Sequence, residues 1–311
     1  MIKREAFTIK SANEVSQLAG MKWIPESNPV AVLQICHGMK EHLIRYDEFA
    51  EFLAEHGVVV VAIDLPGHGH SVKSNDELGY FGEEPVNARL VEDLFRTKTY
   101  IQKEYGHLPY FIFGHSMGSI IVRDFILLHH DNLAGAILMG CVDYGNFRIK
   151  SGKFFLGFMS LFHFGRYKYK SAFADSIGLS SFDKPYKKEK IRNTWLSRDK
   201  EEVEKFNGDP LCNFTYALQV YKVVLNGMQI AKDPDKLSEL PDGLPILIMS
   251  GTDDSAGEFG KAPKTVAKIY RAHGLKVILR MYKNARHELL HELNREQVYG
   301  DVLKWVGHVL K

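Results

Sequence analysis

The stretch Tyr110–Ile121, YFIFGHSMGSII, decides the fold. Four apolar residues, Tyr110 to Phe113, read as a buried strand. A tight turn, Gly114-His-Ser-Met-Gly118, follows, and the apolar run from Ser119 to His129 reads as a helix. A serine between two glycines at a strand-to-helix turn matches G-x-S-x-G. The glycines let the chain turn sharply enough to expose the serine oxygen above a sheet, and the helix aims its first amides at developing negative charge. Ser116 is therefore the candidate nucleophile.

The same alternation extends outward in both directions. Val30-Ala-Val-Leu-Gln-Ile35, Val58 to Asp64, and Ala136 to Met139 read as strands. Leu43 to His56 and Val86 to Tyr105 read as helices; Phe49, Phe52 and Leu53 share a face of the first, and Leu90, Leu94, Tyr100 and Ile101 are the apolar residues of the second. Near-continuous apolar strands separated by helices predict a parallel sheet covered on both faces. The pattern lapses near Asp143 and resumes with strands at Ile246 to Met249 and Val277 to Met281. The helices Ala262 to His273 and Arg295 to Leu310 belong to this second part. The expected architecture is one α/β core, 1–142 with 243–311, carrying an insertion at 143–242. Phe7 to Trp23 is expected to add antiparallel edge strands.

Composition narrows the function. The 311 residues carry 40 Lys and Arg against 38 Asp and Glu, which argues against a nucleic-acid binder. Apolar residues make up 45%, enough for a core. No apolar run approaches the ~18 residues of a spanning helix, and the N-terminus lacks the apolar segment of a secretory signal. Three widely spaced cysteines, Cys36, Cys141 and Cys212, fit reduced thiols, so a cytoplasmic location is expected.

A serine needs a base, and the base needs an orienting acid, in the chain order Ser, Asp or Glu, His for this sheet type. His287 follows the strand at Val277 to Met281. Gly251-Thr-Asp-Asp254 follows the strand at Ile246 to Met249 and offers two acids, Asp253 and Asp254. The oxyanion donors are expected at the N–H of Met117 and, from His37-Gly38-Met39, at the N–H of Met39. Leu65-Pro-Gly-His-Gly-His-Ser71 lacks the third glycine of a dinucleotide fingerprint and reads as a structural loop. His287-Glu288-Leu-Leu-His291 matches the zinc motif H-E-x-x-H, but it falls at a strand-to-helix loop, and Asn294 and Gln297 break its extended form. The alternative for Glu288 and His291 is the polar first turn of the last helix.

Taken together, His37-Gly-Met-Lys-Glu-His42, Asp64-Leu-Pro-Gly-His-Gly-His-Ser71, Gly114-His-Ser-Met-Gly118, Ser250-Gly-Thr-Asp-Asp254 and Ala285-Arg-His-Glu-Leu289 resemble the α/β-hydrolase superfamily. Within it they are similar to the monoglyceride lipase and bacterial lysophospholipase branch. The resemblance covers the chain outside the insertion. It implies an α/β-hydrolase fold with a helical cap and a serine esterase that needs no cofactor or metal. It also implies a Ser116–His287–Asp254 triad, since the branch's G-x-x-D spacing falls on Asp254, and oxyanion donors at Met39 and Met117. The branch often has Pro after the acid; here Ser255 stands there.

The insertion carries its own signal. Tyr144 to Tyr186 holds 12 Phe or Tyr, and Arg148 to Arg192 holds 11 Lys and Arg against 3 Asp and Glu. Phe154 to Phe164, FFLGFMSLFHF, is apolar nearly all round, with Phe154, Phe158 and Phe162 as candidate substrate contacts. An apolar, cationic cap suits a lipid-like acyl ester and peripheral contact with an anionic membrane surface. Plain packing of the aromatics against the core is the alternative. Another acyl bond, a thioester or an N-terminal peptide bond, is the second functional reading, with Glu201, Glu202 and Glu204 available to hold an amine. A non-catalytic apolar-pocket protein is a third.

Overall fold

The computed structural model describes residues 2–163 and 166–311. Eight strands form one sheet: β1 (Lys3–Lys10), β2 (Gln17–Ile24), β3 (Ala31–Cys36), β4 (Val58–Ile63), β5 (Tyr110–His115), β6 (Leu133–Met139), β7 (Pro245–Gly251) and β8 (Lys276–Tyr282). Their order is β1-β2-β4-β3-β5-β6-β7-β8. β4 through β8 run parallel in that order, while β2 pairs antiparallel with both β1 and β4. The N-terminal segment thus forms the expected antiparallel edge. Both edges carry charges, Lys3, Arg4 and Glu5 on β1 and Lys276 and Arg280 on β8, which discourages pairing with another sheet.

Every residue of β3, β4 and β5 is buried. Alternate side chains feed two cores. Val32, Val59, Val61, Ile112, Leu138 and Ile246 face one, shared with α2 (Val86–Tyr105), α3 (Met117–His129) and α9 (Lys261–Ala272). Leu33, Val60, Phe111, Phe113, Ile137 and Leu247 face the other, shared with α1 (Asp47–Glu55) and α10 (Arg295–Val309). Burial on both faces is why these strands lack polar alternation. On α2, Leu90, Leu94 and Ile101 are buried as expected. Tyr100 is 38% exposed and stacks flat on Phe7 of β1 instead.

Between β6 and β7 the chain leaves the sheet and forms α4 (Asn146–Leu161), α5 (Ala172–Ile177), α6 (Lys200–Gly208), α7 (Leu218–Ile230) and α8 (Pro234–Ser238). α7 packs on both α3 and α4, so it joins the insertion to the core. A satellite cluster of Ile120, Val142, Ile149, Trp195, Leu196 and Phe206 fills the junction. Among the described residues no helix is long and apolar enough to cross a membrane.

On α4 the stripe Ile149, Leu156 and Ser160 is buried, and the opposite stripe faces out. Phe154, Phe158 and Phe162 are 79%, 51% and 68% exposed. Spaced four apart, these three share one side of the helix, and packing against α7 uses the other. Phe164, the end of the apolar run, lies outside the described residues.

Candidate active site

β5 ends at His115, and Ser116 stands before the first residue of α3 with φ 51° and ψ −116°. A non-glycine residue in this region is strained, and such strain persists only where the surroundings over-determine it. Two contacts do so here. The Ser116 N–H donates to the Met139 carbonyl of β6 at 2.9 Å, and its carbonyl accepts from Ser119 N at 2.9 Å. Gly118 lies so close to β3 that a Cβ would sit 2.1 Å from the Cys36 carbonyl oxygen. As the first residue of α3, Met117 has no carbonyl one turn behind it to accept its N–H.

His287 lies beyond β8 and is 1% exposed; Asp254 lies beyond β7 and is fully buried. Asp254 Oδ1 is 2.9 Å from His287 Nδ1 and also accepts the N–H groups of Ala256 (2.9 Å) and Gly257 (3.0 Å). His287 Nε2 is buried without a hydrogen-bond partner among the described residues. Asp253 points elsewhere: its Oδ1 accepts from the Thr252 hydroxyl, and its carbonyl from Tyr186. Of the two acids, Asp254 is the one beside the histidine.

A cavity of about 220 Å³ opens at Ser116. Met39 and Met117 line it from the core, and Phe155, Leu156, Ile177, Trp195, Tyr221 and Leu225 from the insertion. Phe154, Phe158 and Phe162 do not reach it; the α4 residues that do are Arg148, Gly152, Phe155 and Leu156. A second, more polar cavity of about 240 Å³ shares Met39, Leu179 and Trp195 and is bordered by Lys40, Asp175, Arg192, Asn193 and Asn213. Glu201, Glu202 and Glu204 of α6 line neither.

The H-E-x-x-H residues are not brought together as ligands. Glu288 is buried in a two-pronged pair with Arg45 (2.6 and 2.8 Å), and His291 Nδ1 pairs with Glu202 at 3.2 Å. Nor are they the first turn of the last helix, because α10 begins only at Arg295. Instead the segment 286–288 is clasped by the insertion. Arg286 donates to the carbonyls of Thr194 (2.6 Å) and Ser197 (3.1 Å), and the Glu288 N–H to that of Leu196 (2.8 Å). The Trp195 ring centre lies 4.8 Å from that of His287. Ser255 joins in, its hydroxyl donating to the Phe182 carbonyl at 2.8 Å.

The sequence reading also missed a buried network behind the serine. Glu41 is 3% exposed and accepts from His115 Nδ1 (2.6 Å), the Tyr46 hydroxyl and the Gly38 N–H (3.2 Å). Burial alone would raise the Glu41 carboxyl, but His115, Arg45 and Tyr46 together hold it well below its ordinary value. For His115, burial works against the charged ring, and Glu41 overcomes it and raises the pKa. Gly38 sits against the serine, a Cβ there falling 3.1 Å from Ser116 Cβ. The only sequence signal was Glu41 within His37-Gly-Met-Lys-Glu-His42. The loop 65–71 is held by the buried Asp64 that precedes it. Asp64 accepts the N–H groups of Leu43 and His70, both at 2.7 Å, and burial lowers the His68 pKa to about 3.

The sheet order and the serine turn define an α/β hydrolase. The chain belongs to the family described as serine aminopeptidase S33, whose sequence profile matches residues 27–294. It is 27% identical over 290 residues to monoglyceride lipase of Rattus norvegicus, which covers 92% of this chain and 85% of that one. It is 25% identical over 285 residues to monoacylglycerol lipase of Mycolicibacterium smegmatis, covering 91% and 90%. Its fold matches a thermostable carboxyl esterase from Bacillus coagulans over 100% of both chains, with a TM-score of 0.90 and 24% identity. The chain is thus a lipase- or esterase-like α/β hydrolase.

Proposed function

We propose that the chain is a serine carboxylic-ester hydrolase acting on monoacyl lipid esters, such as lysophospholipids or monoacylglycerols. One observation carries this reading: Ser116, Met39 and Met117 share the wall of a single apolar cavity. Its lining is mostly apolar, which supports an acyl chain as its occupant. His287 takes the proton of Ser116 through Nε2, and Ser116 attacks the ester carbonyl. The N–H groups of Met39 and Met117 hold the oxyanion, and Asp254 fixes the histidine tautomer and steadies the imidazolium. The protonated histidine then gives its proton to the leaving alcohol. Water, activated by the same base, frees the acid and restores the serine. The polar cavity beyond Met39 suits the departing head group.

In this reading residues 143–242 act as a cap, and the outward phenylalanines of α4, beside Lys150 and Lys153, touch an anionic membrane surface. Buried, unbridged thiols support a reducing, cytoplasmic setting. The family's description raises an N-terminal peptide bond as a second reading. Glu201, Glu202 and Glu204 line neither cavity, which tells against it, because a substrate amine would then have no carboxylate from this cluster.

The test is fluorophosphonate labelling of wild type and Ser116→Ala, followed by a panel of lysophospholipids, monoacylglycerols, acyl thioesters and aminoacyl anilides. Labelling lost with Ser116, and turnover greatest on the monoacyl esters, is expected. Unlabelled wild type, or preference for the anilides, would overturn the proposal. For the membrane contact, flotation with anionic vesicles should fail in a Phe154→Ser, Phe158→Ser variant. Absence of wild-type flotation would remove that part alone.

A further inference from the structure

One cluster of metal-ligating side chains lies outside the candidate active site. His42 closes the His37–His42 motif of the core. Asp209 ends α6 in the insertion, and Cys212 lies in the turn just after it. One ligand atom from each falls within 4.8 Å of the others. His42 is 6% exposed and Cys212 1%, so this is not a chance meeting of surface groups. His42 Nε2 is 2.7 Å from Asp209 Oδ2, while Nδ1 of the same ring is buried with no hydrogen-bond partner among the described residues.

We propose that His42, Asp209 and Cys212 form a binding site for a borderline-soft divalent cation, with zinc as the expected occupant, that staples the insertion to the core. Imidazole, thiolate and carboxylate together are a donor set zinc takes. The spacing Asp209-Pro-Leu-Cys212 matches the short two-residue gap of zinc turns. The turn is already built: the Cys212 N–H donates to the Asp209 carbonyl at 3.0 Å, bringing thiol and carboxylate to one side. The carboxylate is already oriented, because the Leu211 N–H donates to Asp209 Oδ1 at 2.8 Å and leaves Oδ2 facing the histidine. An entry path exists, since Cys212 also lines the polar cavity, which would supply a water as fourth ligand.

The geometry needs a small adjustment. Ligands 2.0–2.3 Å from a tetrahedral ion lie about 3.3–3.7 Å apart, so His42 and Asp209 must separate by roughly 0.6 Å, and within the 4.8 Å spread of the cluster the thiol must close in by up to about 1 Å. Asp209, on a turn with 27% of its side chain exposed, has room to do so. On binding, the proton on Nε2 moves to Nδ1, and the Cys212 thiol releases its proton to solvent. The complex then holds a neutral imidazole, a thiolate and a carboxylate around the cation, with net charge zero. His42 is three residues from Met39, so occupancy also fixes the loop expected to hold the oxyanion.

The test is titration of the full chain, freed of metal with a chelator, with cobalt(II), whose thiolate charge-transfer absorption reports sulfur ligation. One equivalent should produce the band, and zinc should displace it. Cys212→Ser should abolish the band while Cys141→Ser keeps it. Asp209→Asn, a near-isosteric change on a partly exposed turn, should weaken cobalt at least about tenfold. Zinc should raise the melting midpoint of wild type by a few degrees and that of Cys212→Ser by none. Metal-free midpoints matching wild type would show that the variants fold. No band in wild type, or a band that survives in Cys212→Ser, would overturn the proposal. So would an unchanged affinity in Asp209→Asn.

Discussion

Glu41→Gln should both destabilise the chain and slow it, more at pH 6 than at pH 9. Three donors converge on the Glu41 carboxylate, from Gly38, Tyr46 and His115. A glutamine keeps the shape but turns one oxygen into an NH₂ group, so one donor meets another donor. Breaking a buried ion pair by removing one partner costs about 3–5 kcal/mol. His115 can recover part of this by shedding its proton and accepting from the amide, leaving a net loss of about 2–3 kcal/mol. At roughly 2–4 °C per kcal/mol for a chain of this size, the midpoint should fall by about 5–10 °C.

The pH dependence follows from the two shifts. The lowered Glu41 pKa contributes stability above the ordinary carboxylate range and loses it as pH falls through the folded value. The raised His115 pKa contributes fully below the ordinary histidine value and is lost as pH rises through its folded value. The pair therefore acts in a window centred on mildly acidic pH. Calorimetry at pH 6 and pH 9 should show a gap between wild type and variant that narrows at the higher pH. Because Gly38 leads into Met39, kcat on a p-nitrophenyl ester should also fall roughly tenfold with KM little changed. That is a partial loss beside the 10²–10³ for removing an oxyanion donor outright. A midpoint within 1 °C of wild type, or a gap that widens with pH, would refute the reasoning.

Three further outcomes are expected. Ser116→Gly should abolish ester turnover yet raise the melting midpoint by about 2 °C, because glycine relieves a positive-φ strain of order 1 kcal/mol; a lower midpoint would contradict the strained turn. Asp254→Asn should cut kcat by about 10⁴ through the wrong histidine tautomer, with KM nearly constant, as steady-state kinetics would show. Burial raises the Asp93 carboxyl to about 6 despite hydrogen bonds from Ala12 and Ser11. A raised acid keeps its proton longer in the folded state, so wild type should lose about 2 kcal/mol as pH rises from about 4 to 6. Urea unfolding of Asp93→Asn across that range should lack this slope, and a matching slope would exclude Asp93 as its source.

The sequence by itself determined the core. Buried parallel strands are apolar on both faces, which is why Val58 to Ile63 and Tyr110 to Phe113 were legible as strands. Serine, acid and histidine were legible because each follows a parallel strand, and the G-x-x-D spacing of the resembled branch already pointed to Asp254 over Asp253; the side-chain directions put Asp254 beside the histidine. Tertiary structure alone decided the rest. FFLGFMSLFHF is apolar all round, so no periodicity says which side faces in; α7 took Leu156 and left Phe154, Phe158 and Phe162 outside. Glu41 with His115, Arg45 with Glu288, and His42 with Asp209 are separated by 74, 243 and 167 residues. Pairing at that range leaves no spacing to read. It exists only once the sheet has fixed where each loop ends, and then burial makes each polar group find the partner that the fold has brought to it.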